Sequence, residues 1–212
     1  DDLYSLTRLE YDVFSHCVSL ISVDCSDKLT AIGSSAFFGC KALVSIGDLS
    51  NVTSIESSVF RGCIALKSIG NMPKLESIGM QCFMGCTALE TVGDLSSLKE
   101  IPSETFDGCT SLVSIGDLSN VTIIGSYGFN QCKKLTSIPN LGSLERVDQF
   151  AFSGCESLAL LGNLRKLTSF GYSPFVNSPF HNCPNLVLEV LPDSAAEQYA
   201  KDYNMQYTYI TE

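Results

Sequence analysis

Eight of the ten cysteines recur with an almost constant spacing, and this spacing constrains the fold more than any other feature of the chain. The interval between successive members is 23 residues six times and then 28 residues. A phenylalanine stands three residues before each of these cysteines, and a leucine stands three residues after it. Such regularity indicates an internal repeat. The repeating cysteines are Cys17, Cys40, Cys63, Cys86, Cys109, Cys132, Cys155 and Cys183.

The repeat length predicts a solenoid. A 23-residue unit cannot bury its apolar positions alone, so neighbouring units must stack on one another. Alternation and β-branched residues predict two short strands in each coil, for example at 43–46 and 52–55. The segment 57–63 is too polar and too interrupted by glycine for a strand, and we expect a single helical turn there. The predicted fold is therefore an α+β repeat of about eight coils.

Both ends of the chain depart from the repeat. Near the N-terminus, Asp24, Cys25 and Ser26 interrupt the strand exit. Near the C-terminus, Ser194 followed by Glu197 forms a capping box that predicts a helix, and alternating residues after it predict a strand. We expect one domain, 1–212, made of an atypical first coil, regular repeats and a helix-strand cap, at 1–28, 29–191 and 192–212.

The repeat resembles that of a known bacterial family. Residues 32–46 follow the pattern I-G-x-x-A-F-x-G-C-x-x-L-x-x-I, which is similar to the leucine-rich repeat of BspA-like cell-surface proteins, and the frame recurs through nearly the whole chain. The resemblance implies a leucine-rich-repeat solenoid, an extracellular or cell-surface location in a bacterium, and adhesion to proteins of a host. The chain departs from the family at Gly47-Asp48-Leu49, so we expect a different turn there.

Charge and hydropathy argue against two classes of partner, nucleic acid and the interior of a membrane. The chain has 13 Lys and Arg against 23 Asp and Glu, a formal charge of −10, which disfavours binding to nucleic acid. No apolar run approaches the roughly 20 residues needed to cross a bilayer, so we expect no membrane insertion of this segment. The first residues lack a signal-peptide pattern, so a targeting segment, if the protein is exported, is expected to have been removed. We expect a monomer.

The repeating cysteines are expected to be free and buried. Each lies between a phenylalanine column and a leucine column and resembles a small buried apolar residue. Stacked coils also bring equivalent Cα atoms within reach of a disulfide, which is the alternative. Cys82 falls in a separate column of small residues, and Cys25 is expected either to contact Cys17 or to expose its thiol. The cysteine column lacks a second column of ligands, so we predict no metal and no cofactor.

No catalytic constellation can be assembled from the sequence. The two histidines, His16 and His181, lie in opposite end coils, and no nucleophile and base can be grouped around them. A column of Asp and Asn stands directly after the Gly or Pro that follows the first predicted strand of several coils, where local turn bonding explains it better than Ca²⁺ binding. We therefore predict that the protein is not an enzyme. This column contains Asp48, Asn71, Asp94, Asp117, Asn140 and Asn163.

Two features are candidates for contact with a partner. One is the outward column on the first predicted strand of each coil, the one at 43–46, next to a column of Ser and Thr hydroxyls that is equally well explained as a solvated strand. The other is the five-residue insertion in the last full repeat, within 171–179, which either folds onto the cap or contacts a partner. The candidate residues are Val44, Lys67, Glu90, Val113 and Thr136 in the column and Tyr172, Phe175 and Val176 in the insertion.

These features lead to one functional hypothesis and two alternatives. The hypothesis is a non-enzymatic surface or secreted binding module that contacts a protein through the solenoid face, with a host extracellular or surface protein as one candidate partner and a glycan as another. The first alternative is a structural spacer or display stalk within a larger surface protein. The second is binding to a polysaccharide. The assignment of a binding role rests on fold-level analogy and on the family resemblance.

Overall fold

Two parallel β-ladders run along the protein, and each coil adds one short strand to each ladder. The computed structural model describes residues 5–171 and 178–211. The first ladder contains β1 (Arg8–Leu9), β3 (Ala31–Ile32), β5 (Ser54–Ile55), β7 (Ser77–Ile78), β9 (Glu100–Ile101), β11 (Ile123–Ile124), β13 (Arg146–Val147) and β15 (Ser169–Phe170). The second contains β2 (Ser22–Val23), β4 (Ser45–Ile46), β6 (Ser68–Ile69), β8 (Thr91–Val92), β10 (Ser114–Ile115), β12 (Ser137–Ile138), β14 (Leu160–Leu161), β16 (Val187–Val190) and β17 (Gln206–Tyr209).

The strand register follows the sequence period. Ala31 and Ile32 of β3 pair with the residues 23 positions earlier and 23 positions later in the chain. In each two-residue strand the first side chain is the more exposed, and the second, such as Ile32, is buried, or half-buried in β4, β10 and β15. The two predicted strands per coil are confirmed. Because β17 adds a ninth strand to the second ladder, the solenoid has about nine coils and not about eight.

Two of the three breaks in the ladders fall at prolines. Between β7 and β9, Pro102 occupies the position at which Gly79 and Gly125 each donate a backbone N–H to the preceding coil. Between β10 and β12, Pro139 occupies the position at which Gly162 donates its N–H to Ile138. Proline has no N–H to donate, so the ladder loses a hydrogen bond at each of these sites.

The third side of each coil is a pair of tight turns, and the predicted helical turn is wrong. Ser35 and Gly39 both have left-handed backbone angles, with φ of 58° and 68°. Every second N–H in this segment closes a turn within the coil, as Cys40 does to the Phe37 oxygen at 3.1 Å. The N–H groups between them donate to the next coil, as Phe37 does to Val59 at 3.0 Å.

This alternation explains why no helix forms in the coils. An α-helix requires right-handed angles at successive residues and uses all of its N–H groups within one segment. Here two left-handed residues stand four positions apart, and half of the N–H groups join neighbouring coils. The described coils therefore consist of strand and turn. The helix of the described chain is α1 (Ala195–Asp202), so the fold is a β-solenoid and not an α+β repeat.

A continuous stack of phenylalanine rings forms the centre of the core. Adjacent ring centroids are 5.1 to 5.4 Å apart from Phe14 to Phe152, and the last step to Phe180 is 6.0 Å. The rings between Phe14 and Phe180 are fully buried. Offset stacking of this kind adds about 0.5–1.5 kcal/mol per pair to the burial of the rings.

Each repeating cysteine from Cys40 onward joins two coils through its thiol. The Sγ of Cys63 donates to the carbonyl oxygen of Phe37 at 3.1 Å, and the backbone N–H of Cys40 donates to the same oxygen at 3.1 Å. The same thiol bond recurs in every later repeat, at 3.0 to 3.2 Å. A buried carbonyl oxygen has two lone pairs, and this arrangement uses both. Burial raises the pKa of the Cys63 thiol to about 12, which keeps the proton on sulfur.

All ten cysteines are free, and seven of them are buried. The prediction of buried thiols is confirmed for the six central repeat positions and for Cys82, but it is wrong at the ends, where Cys17 is exposed and Cys183 is half-buried. Cys25 is half-buried, and burial raises the pKa of its thiol to about 11. It therefore forms neither a disulfide nor a fully exposed thiol.

The turn after each strand of the second ladder uses side-chain hydrogen bonds. The predicted local turn bonding is confirmed for the aspartates of the column but not for its asparagines, which bond between coils, as Asn71 does by accepting the Asp94 N–H at 3.0 Å. Asp48, Asp94 and Asp117 each accept the backbone N–H of the residue two positions later at 2.8 Å. The glycine at the strand exit is required by close packing, since a Cβ at Gly47 would collide with the backbone nitrogen of Cys25. This close contact explains why the chain has glycine at position 47, where the family pattern has an apolar residue.

A helix and a strand cover the C-terminal end of the solenoid, as predicted. Ser194 caps α1 by accepting the Glu197 N–H at 3.2 Å, and β17 pairs in parallel with β16. The ring of Tyr199 in the helix stacks on that of Phe170, with 3.9 Å between the ring centroids, and lies edge-on to that of Phe180, with 5.9 Å between the centroids. The cap therefore closes both the first ladder and the phenylalanine stack.

Candidate binding face

The candidate residues of the coils lie in one line, which we call the strand-face column: Val44, Lys67, Glu90, Val113 and Thr136. Each stands directly before a strand of the second ladder, from β4 to β12. The backbone N–H of each member donates to the carbonyl oxygen of the member before it, at 2.8 to 3.5 Å. The structure therefore brings together residues that are 23 positions apart in the sequence, at a spacing of about 4.8 Å per strand.

The side chains of this column are open to solvent. Lys67, Glu90 and Thr136 are exposed, Val113 is 42% exposed, and Val44 is half-buried. The neighbouring hydroxyl column, at the first residue of each strand, is also largely exposed. Together the two columns form a long strip that mixes aliphatic, hydroxyl and charged groups.

The column extends one coil further at each end than the sequence prediction. Ile21 accepts the Val44 N–H at 2.8 Å, and Ala159 donates to Thr136 at 2.9 Å. Ile21 is 65% exposed and is the most exposed aliphatic side chain of the column. Its position 23 residues before Val44 is the signal that identifies it, although the first coil departs from the repeat pattern soon after it, at Asp24.

The two charged residues of the column lie on adjacent strands. The N–H of Glu90 donates to the Lys67 oxygen at 2.8 Å, so the two side chains leave the backbone one strand apart. Neither one takes part in an ion pair within 5–171 and 178–211. Both charges are therefore available to a partner that presents the complementary pair.

The structure describes the insertion at its two ends and not between 172 and 177. Its candidate residues Tyr172, Phe175 and Val176 lie outside the described residues. Ser178, which follows it, is hydrogen-bonded to the Tyr199 hydroxyl at 3.0 Å.

The titratable groups of the described chain do not converge on a reactive centre. His16 and His181 are both exposed and lie in the first and last repeats. Within the described ranges, no three or more His, Cys, Asp and Glu side chains are grouped so as to hold a metal ion. The helix found there is too short and too polar to cross a membrane.

The most strongly perturbed carboxylate has a structural role. Glu197 accepts hydrogen bonds from Lys201 at 2.8 Å, from the Tyr209 hydroxyl at 2.6 Å and from the Asp193 N–H at 2.8 Å. The bonds from Lys201 and Tyr209 lower the pKa of this carboxyl to about 2. Glu197 thus joins the start of α1 to β17 and holds the cap together.

Comparison with protein families gives one result that covers most of the chain. A family described as the BspA type leucine-rich repeat region matches residues 4–113 and 76–186, in six copies. No curated protein matches the chain significantly.

Two crystal structures of bacterial proteins share the fold. A leucine-rich repeat protein of T. pallidum is 24% identical, with 98% of this chain and 81% of that chain covered and a TM-score of 0.59. A leucine-rich repeat protein from Eubacterium ventriosum is 24% identical, with 77% of this chain and 43% of that chain covered and a TM-score of 0.67. At this level of identity, both comparisons concern the architecture alone.

Proposed function

Because the chain belongs to the BspA-type leucine-rich repeat family, we propose that it is a non-enzymatic binding module of a bacterial surface or secreted protein. The module recognises a protein partner through the strand-face column and acts in adhesion, with a host extracellular protein as the partner. The chain acts as one repeat domain and as a monomer. Leucine-rich repeat solenoids bind through such extended surfaces, which supports the class of function.

The observation that carries the proposal is the line from Ile21 to Ala159, whose members are joined by successive backbone hydrogen bonds and are all exposed except the half-buried Val44. Backbone hydrogen bonds hold successive members of this line in register, so a partner meets a rigid surface. Binding to a rigid surface avoids the ordering cost that a mobile loop has to overcome. The mixture of Val113, Lys67 and Glu90 provides aliphatic contact next to charges of both signs, which suits a protein partner.

The test is charge reversal within the column, with matched changes on the other ladder. Lys99 and Glu76 are exposed and stand directly before strands of the first ladder, in the position that Lys67 and Glu90 occupy on the second. We expect K67E/E90K to weaken binding to an array of host extracellular proteins on the order of tenfold, and K99E/E76K to change it less than twofold.

The melting temperatures of both double variants should equal that of the unchanged chain, because all four side chains are exposed. Equal binding by the two double variants would remove the strand-face column as the site. Binding of the unchanged chain to no protein on the array would contradict the proposed function itself.

A structural spacer is the second candidate function. The monotonous hydroxyl column favours it, because exposed Ser and Thr keep a strand solvated without specifying a partner. A polysaccharide ligand is the third. It is favoured by Tyr127 and Phe150, whose half-buried rings stack at 5.0 Å on neighbouring coils. A glycan array, used beside the protein array, separates the three functions. A spacer binds to neither the protein array nor the glycan array. A polysaccharide-binding protein binds to the glycan array, and the Y127A variant loses this binding.

A further inference from the structure

The turn side of the first four coils has a charge unlike that of the rest of the protein. We call this surface the turn face; it comprises residues 13–19, 36–42, 59–65 and 82–88. None of these residues is Asp or Glu, although the chain carries 23 of them. The same segments contain Lys41, Arg61 and His16. In the later coils every second equivalent segment carries an acid, Asp107 in one and Glu156 in another, so an uninterrupted run of acid-free segments is found in the first four coils.

A groove with a volume of about 430 Å³ crosses the turn face. Its walls are apolar: Val18 and Ile64 are 53% and 47% exposed, and the half-buried side chains of Phe38 and Met84 lie beside them. Its floor is glycine, as at Gly85, where a Cβ would meet no atom within 4 Å. A partner can therefore approach the backbone of the solenoid closely along this line.

The cationic group in the groove is already held in place. The guanidinium carbon of Arg61 lies 5.7 Å from the centre of the Phe38 ring, and its Nη1 donates to the Gln81 side chain at 3.0 Å. His16 meets the edge of the same ring at 4.9 Å. A guanidinium has five N–H donors, so most of the hydrogen-bonding capacity of Arg61 remains for a ligand.

No carboxylate of the described chain forms a direct ion pair with Lys41 or Arg61. The nearest link is indirect, through Gln81, which accepts from Arg61 and donates to Glu104 at 2.8 Å. Lys133 occupies the position of Lys41 four coils later, and there it pairs with Glu156 at 2.9 Å. The comparison shows that the repeat can accommodate such a pair, and that the turn face lacks the acidic member.

We propose that the turn face binds an extended segment of a partner protein in which acidic and apolar side chains alternate. A carboxylate of the segment pairs with Arg61, and a second one with Lys41. Apolar side chains of the segment fill the groove between Ile64 and Met84. Methionine and arginine beside an aromatic ring are side chains that protein interfaces favour. This surface lies on a different side of the coil from the strand-face column and is a second site.

Charge and size select this occupant. The remainder of the chain is strongly acidic and repels an acidic segment, so the turn face is where such a segment is attracted. A groove of about 430 Å³ accommodates a few side chains, as a short extended segment presents them. Charge complementarity and the size of the groove therefore favour a short acidic segment as the occupant.

The test uses synthetic peptides and the full chain. The probe is a fluorescent ten-residue peptide in which Asp alternates with Leu and Phe; in the control peptide every Asp is replaced by Asn. Fluorescence anisotropy measures both affinities. We expect the Asp peptide to bind at least tenfold more tightly than the Asn peptide and R61E/K41E to abolish this difference. The matched control K133E, on the same column outside the groove, should leave it unchanged.

A second variant tests the apolar half of the proposal. Ile64 is half-exposed, so I64D is expected to fold with an unchanged melting temperature and to weaken the Asp peptide about tenfold. The K67E/E90K variant should retain full affinity for the peptide, so that failure of the strand-face column and failure of the turn face are distinguished.

Three results would overturn the proposal. One is equal affinity for the Asp and Asn peptides, including no binding of either. Another is an equal loss of affinity in K133E and in R61E/K41E. The last is a concentration-dependent dimer in sedimentation experiments that R61E/K41E dissolves, since this would assign the groove to a second copy of the chain.

Discussion

Removal of one ring from the phenylalanine stack should destabilise the protein strongly. Phe83 is fully buried, and its ring centroid lies 5.3 Å from those of both Phe60 and Phe106. A buried Phe→Ala change costs about 3–5 kcal/mol. That cost includes two stacking contacts of about 0.5–1.5 kcal/mol each, which place Phe83 at the upper end of the range. We therefore expect F83A to lower the free energy of unfolding by about 5 kcal/mol.

The first ring of the stack provides the matched control. Phe14 is half-buried and stacks on Phe37 alone, at 5.3 Å. F14A should therefore cost about 1–2 kcal/mol. F83L retains most of the volume and loses the stacking, and we expect it to cost about 1.5 kcal/mol.

The assay is urea denaturation followed by far-ultraviolet circular dichroism, with the slope compared among the variants to verify that the same surface unfolds. If F83A costs no more than F14A, the inference of a continuous stack that carries the stability of the core is refuted. An F83L cost equal to that of F83A would show that volume contributes little and that stacking accounts for the effect.

Three further predictions concern the turns, the cap and the thiols. G116A should lower the free energy of unfolding by several kcal/mol, measured by thermal unfolding, because the added Cβ would collide with a carbonyl oxygen of the preceding coil. G85A is the control: its Cβ would lie in open space, and the backbone φ of +72° should limit the cost to about 1 kcal/mol. Because the pKa of Glu197 is lowered to about 2, its stabilisation of the cap is complete above the unfolded pKa of about 4.3 and is lost as the pH falls towards 2. Hydrogen exchange in β17 should report this loss, and E197Q should remove the pH dependence. In a thiol titration, Cys17 should react within seconds and Cys109 only after denaturation, and early reaction of the buried thiols would contradict the assignment.

The solenoid could be predicted from the sequence because its period is carried by side chains. Phe37, Cys40 and Leu43 each recur every 23 residues, and a column of apolar residues can be buried only by stacking. The two strands per coil followed from local alternation. The number of coils was underestimated because β17 belongs to the cap in sequence and to the second ladder in space.

The turn side of the coil could not be predicted for a physical reason. Its first left-handed position is occupied by Ser35, Ser58 and Gln81, residues that seldom adopt such an angle, and even by Tyr127 and Phe150. Hydrogen bonds to the neighbouring coil impose this conformation from outside the segment. A polar segment containing one glycine therefore resembles a helical turn when its own residues are considered alone.

The thiol hydrogen bonds were hidden for a similar reason. The sequence shows that Cys63 is small and lies between apolar columns, which explains its burial but does not distinguish it from alanine. Its donation to Phe37 becomes visible only when successive coils are in register. Cys17 is exposed because the described chain places no coil before it to supply an acceptor.

The candidate site was predicted in position but not in extent. Val44, Lys67 and Val113 could be placed on one line because their spacing equals the repeat length. Ile21 belongs to the same line but was missed, since the first coil departs from the consensus only after it. The turn face was not predicted, because the absence of acidic residues from four segments becomes a surface property only when those segments stack.

Site-specific photocrosslinking tests the central claim most directly. A benzophenone side chain at Val113 of the strand-face column is compared with the same side chain at Thr122, which stands in the equivalent position before β11 of the first ladder. The full chain carrying each probe is irradiated in a mixture of host extracellular proteins. We predict one crosslinked protein from position 113 and none from position 122. Equal crosslinking from both positions, or none from either, would contradict recognition through the strand-face column.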